Sequence, residues 1–255
     1  MKKQLNVEIL SNEEIAENTY LLKIPCPEDV LKFFRPGQFA HIGIPGAGEL
    51  LLRRPLSINS VDYEKKEAHI AYHAAGKGTT ILRDAKAGST LDVLMPLGNG
   101  FAVKPAMRKI WLVGGGIGCA PLKSVFGKYA DREYKAFLGF QCKSAVYQES
   151  DFKKYADVNI STDDGSYGTH GFITDVLREA LETAQPDVIL ACGPLPFFRA
   201  LVKVTRDVPV QVSMEQHMGC GTGGCAVCVC SVGGENRRVC VEGPVFDSRE
   251  VDVLW

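Results

Sequence analysis

Five cysteines crowd between positions 220 and 240, and four of them fall in the pattern Cys220-x4-Cys225-x2-Cys228-x11-Cys240. The other four of the nine, Cys26, Cys119, Cys142 and Cys192, are scattered. The N-terminal Met-Lys-Lys-Gln-Leu-Asn-Val-Glu shows no apolar stretch after its lysines, so no signal peptide is expected. No run reaches the ~18 apolar residues of a transmembrane helix, so no membrane span is expected either. A cytoplasmic, reducing location follows, where clustered thiols hold metal more often than disulfides. The opening C-x4-C-x2-C matches plant-type [2Fe–2S] spacing, in which three thiolates wrap one side of a cluster and a distant fourth closes it. Gly219, Gly221, Gly223 and Gly224 interleave the ligands and let the backbone wind tightly and aim N–H groups at sulfur. Four cysteines could also hold a structural zinc, although such sites prefer two C-x2-C pairs and one is present. Cys230 is a bystander on this reading.

A chain of 255 residues makes roughly two domains at ~100–200 residues each. That length supports a sizeable core without a staple. A net charge of −1 gives no case for nucleic acid or a polyanionic partner. Three textures follow one another. Residues 1–102 carry short β-rich runs at Asn18–Ile24, Gln38–Ile44, Leu56–Val61, Ala68–His73 and Thr90–Leu94. Turn signals such as Arg35-Pro36-Gly37, Pro45-Gly46-Ala47-Gly48 and Pro96-Leu97-Gly98-Asn99-Gly100 separate them, which predicts a small antiparallel barrel. Residues 103–214 alternate apolar strands (Ile110–Val113, Lys135–Phe140, Val158–Ser161, Val188–Ala191, Val208–Val212) with helices (Pro121–Tyr129, Phe172–Leu181, Pro196–Val204), which predicts a parallel α/β sheet. Residues 215–255 are glycine-rich and poor in a core of their own, so a bound metal centre would supply stabilisation.

Two further motifs carry chemistry. Gly114-Gly115-Gly116-Ile117-Gly118-Cys119-Ala120-Pro121 directly follows an apolar strand. Read from Gly114 it misses the G-x-G-x-x-G/A dinucleotide pattern, because Cys119 takes the last place; read from Gly116 it is G-x-G-x-x-P. Its glycines allow a pyrophosphate to approach the backbone, and the following helix offers its positive end. A plain glycine-rich turn is the alternative. One guanidinium of Arg53-Arg54-Pro55-Leu56-Ser57 could pair bidentately with a phosphate, and Gly76-Lys77-Gly78-Thr79-Thr80 precedes a short helix, a second anion-binding setting. Asp163 or Asp164, after another strand, could accept hydrogen bonds from an adenosine ribose and repel a 2′-phosphate; a solvated turn would look the same.

The order R-P-x-S, then G-x-G-x-x-P, then Cys192-Gly193-Pro194 at a strand end resembles the ferredoxin–NADP reductase superfamily. The tail Met214-Glu215-Gln216-His217-Met218-Gly219-Cys220, with Val239-Cys240-Val241-Glu242-Gly243-Pro244-Val245-Phe246, narrows the resemblance to the electron-transfer subunits of NAD-dependent, type B dihydroorotate dehydrogenases. That resemblance spans the chain. It implies a six-stranded FAD-binding barrel, a parallel-sheet NAD-binding domain and a C-terminal [2Fe–2S] lobe. FAD would be contacted by Arg54, Pro55, Leu56, Ser57, Ala71, Tyr72, His73, Gly78 and Thr79. NAD would meet Gly114, Gly115, Gly116, Gly118, Asp163, Asp164, Cys192 and Gly193, with Cys192 near the nicotinamide and no catalytic side chain assigned. The wider superfamily carries an aromatic residue where Leu56 stands, and often an arginine where His73 stands. The implied partner is an FMN-containing catalytic subunit, in a heterotetramer of two copies of each chain. Electrons would pass from dihydroorotate through the cluster and FAD to NAD⁺. A ferredoxin- or sulfide-linked NAD(P) reductase subunit is the nearest alternative, and a non-catalytic module with a structural zinc site is one of another class.

Overall fold

The computed structural model describes residues 2–44, 48, 50–205 and 207–255. The Pro45-Gly46-Ala47 part of the expected turn lies outside them. The first region is built from β1 (Lys3–Glu8), β2 (Ser11–Ala16), β3 (Thr19–Pro25), helix α1 (Glu28–Phe33), β4 (Phe39–Ile42), β5 (Arg54–Ser57), β6 (Ser60–Asp62), β7 (Glu67–His73), helix α2 (Lys77–Arg83) and β8 (Thr90–Leu97). Its strands form two antiparallel four-stranded sheets, β1-β8-β4-β5 and β2-β3-β7-β6. Leu22, Ile24, Ile42, Ile58, Ile70 and Val93 are fully buried in the core between them.

Among the described residues, eight strand segments stand where the sequence marks five β-rich runs. The extra pair at the N-terminus, β1 and β2, is only half-buried, and β1 alternates half-buried with exposed positions. The predicted strand Leu56–Val61 is two strands in different sheets. The chain changes sheet at Ile58 and Asn59: the Ile58 N–H donates to Gln38 O at 3.0 Å beside β4, and the Asn59 N–H to His69 O at 2.8 Å in β7. A strand that turns the corner between two sheets reads as one continuous β-former run in sequence.

The second region comprises β9 (Lys109–Gly115), α3 (Cys119–Lys128), β10 (Glu133–Phe140), α4 (Glu149–Phe152), β11 (Ala156–Thr162), β12 (Thr169–His170), α5 (Ile173–Thr183), β13 (Val188–Cys192), α6 (Leu195–Val204) and β14 (Val210–Ser213). The cysteine-rich tail adds the hairpin β15 (Val229–Val232) and β16 (Glu235–Arg238), then β17 (Val245–Asp247). The large sheet runs β12-β11-β10-β9-β13-β14-β17, parallel except for the last pair. Strands β9 and β13 are buried almost throughout, as a sheet covered on both faces requires. The chain moves outward from β9 to β11 and β12, then returns to β13 on the other side. That reversal opens a crevice at the carboxyl ends of β9 and β13.

The two faces of this sheet are covered differently. Helix α3 lies between one face and the first region, in a core that includes Ala71, Phe101, Leu122, Val125 and Leu190. Helices α5 and α6 cover the other face; Ile173 and Leu177, one turn apart, are buried on the inner side of α5. The tail has no separate core. Met214, Met218, Cys228, Val232, Val239, Cys240, Val251 and Leu254 join the α5–α6 core. Among the described residues, no helix is long and apolar enough to cross a membrane.

The amide pair of Asn59 and Gln148 bolts the first two regions together. Asn59, fully buried, donates through Nδ2 to the Ala120 carbonyl and to Gln148 Oε1, both at 2.9 Å, and Gln148 Nε2 returns a bond to Asn59 Oδ1 at 3.2 Å. Asn59→Ala would remove both bonds to Gln148 and the second contact on the Ala120 carbonyl. A loss of about 1–3 kcal/mol is expected, read as a lower urea midpoint with an unchanged slope; an unchanged midpoint would show that the junction holds without it.

Candidate functional site

A cleft of about 410 Å³ opens between β5 and β7 on one side and the end of β14 on the other. Pro55, Leu56 and Ser57 line it from β5, and Ala71, Tyr72 and His73 from β7. Six of the nine residues expected to hold a flavin thus share one surface. Opposite them, Met214, Glu215, Gln216, His217 and Met218 form the remaining wall. Phe39 and Tyr72 supply the cleft's aromatic rings where Leu56 does not; the Tyr72 hydroxyl is tied to Asn12 Oδ1 at 2.9 Å.

Arg54, Gly78 and Thr79 lie outside that lining but form a group of their own. A Cβ at Gly78 would come within 2.7 Å of Arg54 Nε, so a glycine is required for the guanidinium to lie over the first turn of α2. The Thr79 hydroxyl accepts from the Gly76 N–H and donates to the Gly76 carbonyl, each at 3.1 Å, which fixes that turn. Composition alone leaves the two arginines equivalent, and the R-P-x-S match picks Arg54; the structure adds a difference in partners. Arg53 is committed to Asp92, with Nε donating to Oδ2 at 3.0 Å.

The crevice at the switch point has a volume of about 600 Å³. Gly115, Gly116, Gly118, Asp163 and Gly193 line it, and it shares His73, Ile117 and Glu215 with the first cleft. The two spaces therefore adjoin. The glycines have distinct tasks. Gly116 takes a left-handed φ of +56°. A Cβ at Gly118 would stand 2.4 Å from the Cys192 carbonyl, so this residue lets the turn after β9 touch the end of β13. Gly114 does not line the crevice; it lies beneath it, where the Cys119 Sγ fills the space a Cβ would need. That close contact accounts for a cysteine in the last place of the glycine pattern.

Cys192 is buried behind the lining rather than in it. Burial pushes its thiol well up, and the neighbouring Glu215 carboxylate adds to the shift. Glu215, where the two spaces meet, keeps solvent contact, yet the surrounding protein raises its carboxyl above the usual range. The two aspartates also part ways. Asp163 lines the crevice, whereas Asp164 accepts from Ser166, from its hydroxyl at 2.6 Å and its N–H at 2.9 Å, which hold its carboxyl low.

Three aromatic residues at this crevice escape sequence reasoning. Phe172, 65 % exposed, lines it just before α5. Phe197 lies against Gly193 and Gly115. Tyr147, buried, donates to the Gly116 and Ile117 carbonyls at 3.2 and 3.1 Å and braces the glycine turn from below. Only Phe197 has a sequence signal, its position just after Cys192-Gly193-Pro194.

The four clustered thiols form two pairs. The Cys220 N–H donates to Cys225 Sγ at 3.3 Å, and the Cys240 N–H to Cys228 Sγ at 3.5 Å. The Thr222 N–H donates to Cys220 Sγ at 3.4 Å. With the Thr222 hydroxyl, it pulls the Cys220 thiol down to about 5. Burial, and the adjacent Cys228, push Cys240 up to about 12. The outer pair faces solvent and the inner pair is 2 % and 1 % exposed. Among the described residues, no three His, Cys, Asp or Glu side chains converge as one bare ion requires. All-sulfur donors in two pairs, each pair with a backbone N–H on sulfur, fit the chemistry of an iron–sulfur centre. The glycine cradle fits as well: a Cβ would stand 3.1 Å from Cys225 Sγ at Gly219 and 2.5 Å from Val241 at Gly223. Gly224 has open space and no such constraint. Cys230 is buried on β15 opposite Arg237, its thiol raised by burial.

Residues 215–252 match the family model described as the iron–sulfur cluster binding domain of dihydroorotate dehydrogenase B. The electron transfer subunit of dihydroorotate dehydrogenase B (NAD(+)) from Bacillus caldolyticus is 42 % identical over 250 residues, covering 95 % of this chain and 96 % of that one. The subunit of the same name from Enterococcus faecalis is 38 % identical over 261 residues, covering 98 % of each. A solved structure of an NADH-dependent reduced ferredoxin–NADP oxidoreductase, studied for flavin-based electron bifurcation, superposes with a TM-score of 0.86 at 31 % identity, over 99 % of this chain and 91 % of that one. Phthalate dioxygenase reductase shares the fold at a TM-score of 0.66 and 17 % identity, over 90 % and 86 % of the two chains. With two clefts and a four-cysteine loop joined in one molecule, and relatives matched over their full length, the chain belongs to the family of electron transfer subunits of dihydroorotate dehydrogenase B (NAD(+)).

Proposed function

We propose that this chain carries electrons from an FMN-containing dihydroorotate dehydrogenase subunit, through a [2Fe–2S] cluster and FAD, to NAD⁺ in pyrimidine biosynthesis. The observation that carries this reading is the adjacency of the three places. The crevice and the cleft share His73, Ile117 and Glu215 as lining, and the Met214–Met218 wall of the cleft leads within two residues to Cys220. Residues 1–102 serve as the flavin unit, 103–214 as the nucleotide unit and 215–255 as the cluster lobe.

On this reading Pro55, Leu56, Ser57, Ala71, Tyr72 and His73 hold the flavin ring system, while Arg54 over Gly78 and Thr79 meets its phosphates. FAD, once bound, exchanges electrons in pairs with a nicotinamide and singly with the cluster. Gly115, Gly116, Gly118 and Gly193 admit the NAD backbone, with Gly114 and Cys192 shaping the floor beneath. Asp163 faces the adenosine ribose, and Asp164 only shapes the turn that presents it. Cys220, Cys225, Cys228 and Cys240 ligate the cluster, and Cys230 does not. Cys225 is exposed, and so is Val227 at 54 %, which leaves the cluster edge open for a partner to dock. The partner is the catalytic subunit, with two copies of each chain, in the cytoplasm. Dihydroorotate oxidation belongs to the partner.

The isolated chain is expected to reduce dyes with NADH and to leave dihydroorotate untouched. Adding the catalytic subunit should create dihydroorotate:NAD⁺ activity, which Cys240→Ser abolishes while much of the dye reduction survives. Dihydroorotate oxidation by the chain alone, or failure of the two subunits to associate on co-expression, would overturn the assignment and favour the ferredoxin-linked reading. For the nucleotide, Asp163→Ala should narrow the NADH-over-NADPH ratio of kcat/KM by about tenfold, the scale of ~1.4 kcal/mol of lost ribose contact. Asp164→Ala should leave that ratio unchanged, and equal effects of the two would refute the choice between them. For the flavin, Arg54→Ala should weaken FAD retention on gel filtration by about 10- to 100-fold, as befits loss of one charge-assisted contact. Arg53→Ala, which breaks only the Asp92 pair, should keep FAD bound.

A further inference from the structure

His41 lies in the middle of β4, between β5 and β8, paired in register with Pro55 on one side and Leu94 on the other. Its side chain is completely buried, yet neither ring nitrogen has a hydrogen-bond partner among the described residues. Buried polar groups are almost always satisfied, and an orphaned one calls for an explanation. An imidazole always carries at least one N–H to give. The ring faces the cluster loop. A Cβ on Gly221, itself at a left-handed φ of +70°, would stand 2.6 Å from His41 Nδ1. The backbones of Arg53 and Cys220 both lie beside the ring, each outside hydrogen-bonding geometry, and of the two only Cys220 belongs to the cysteine loop. His41 thus stands between Pro55, which lines the first cleft, and Cys220, the first of the four clustered cysteines.

We propose that His41 is a positioning residue for the cluster: its ring N–H holds the Cys220 carbonyl and ties the first ligand of the cluster to the strand beside the flavin cleft. The inference rests on the cluster assignment made above. The Cys220–Gly221 loop is packed directly on the ring, so a small shift of its peptide group gives the buried N–H its acceptor. Gly221 is glycine because any side chain there would keep the loop off the imidazole. A hydrogen bond to a ligand's own peptide group fixes the ligand's orientation and shifts the electron density at the metal, so its loss is read in the metal rather than in the fold.

The test uses the full chain purified with FAD and iron, and the variants His41→Leu and His41→Gln. Iron and FAD per chain, the electron paramagnetic resonance spectrum of the reduced protein, its midpoint potential and the rate of iron removal by a chelator are measured. His41→Leu should keep FAD and the fold, yet show shifted g-values, a shifted potential and iron loss about tenfold faster, at the low end for a lost outer partner of a metal ligand. His41→Gln, which retains an N–H donor, should restore most of each. A His41→Leu protein with unaltered spectrum, potential and chelator resistance would overturn the inference. So would equal change in both variants, or joint loss of FAD and iron in both, since either outcome makes the ring a space-filler. Zinc instead of iron in the unmodified chain would overturn the cluster assignment itself, and this inference with it. An iron–sulfur centre indifferent to His41 would overturn only the inference.

Discussion

Three residues of antiparallel pairing hold the tail in place: Gln211, Val212 and Ser213 of β14 against Asp247, Phe246 and Val245 of β17. The last parallel strand thereby receives an edge partner from the cysteine-rich segment. Everything between the two strands, residues 214–244, becomes a closed excursion that leaves the sheet at the first cleft and must return to it. The excursion cannot bury enough apolar surface for a core of its own, and its valines and inner cysteines insert into the α5–α6 core instead. The loop is then sealed against the first region. The Asn99 side chain donates to the Val241 and Glu242 carbonyls, and the Asn99 N–H to Gly243 O at 2.6 Å. The tail is held from both sides, which fixes where its four sulfurs stand relative to the two clefts.

The same economy governs the approach of backbones elsewhere. At Gly100 a Cβ would fall 2.1 Å from the Pro36 carbonyl, and at Gly98 one would fall 2.4 Å from Pro244. Together with Gly118 against Cys192, these contacts bring three chain segments closer than side chains permit. The amide bolt of Asn59 and Gln148 adds polar precision to the same junction. Sites assembled from several regions require this rigidity, because electron passage and hydride geometry both fall steeply with distance.

Much of this was legible in the sequence, and the reasons are physical. The parallel strands were found because a sheet covered on both faces writes an unbroken apolar run, as in Ile110–Val113 and Val188–Ala191. The cluster spacing was found because ligand geometry fixes intervals along the chain. The N-terminal strands were missed because β1 and β2 are half-solvated and rich in Asn, Gln and Glu, which lack the β-former signature. Leu56–Val61 was read as one strand because a corner between sheets does not interrupt composition. Neighbouring residues of one type posed the hardest problem. Asp163 and Asp164 are indistinguishable in sequence, and only the Ser166 bonds to Asp164 separate them; Arg54 is set apart by the R-P-x-S match, and the pairing of Arg53 with Asp92 is visible only in the structure. Tyr147, Phe172 and His41 carried no signal, since each gains its place from segments remote along the chain.

The uneven depth of the four sulfurs gives the tail a direction. Cys228 and Cys240 are set in a hydrophobic interior that forms with the sheet, whereas Cys225 stands in solvent and Cys220 only partly out of it. A site of this shape is loaded from the outside inward and must come apart in the same order. An oxidant or a competing thiol in the medium meets Cys225 first, and the inner pair last. A partner surface docked over Cys225, as proposed above, would also be its shield, and the lifetime of the centre in air would then measure how long the two partners stay together.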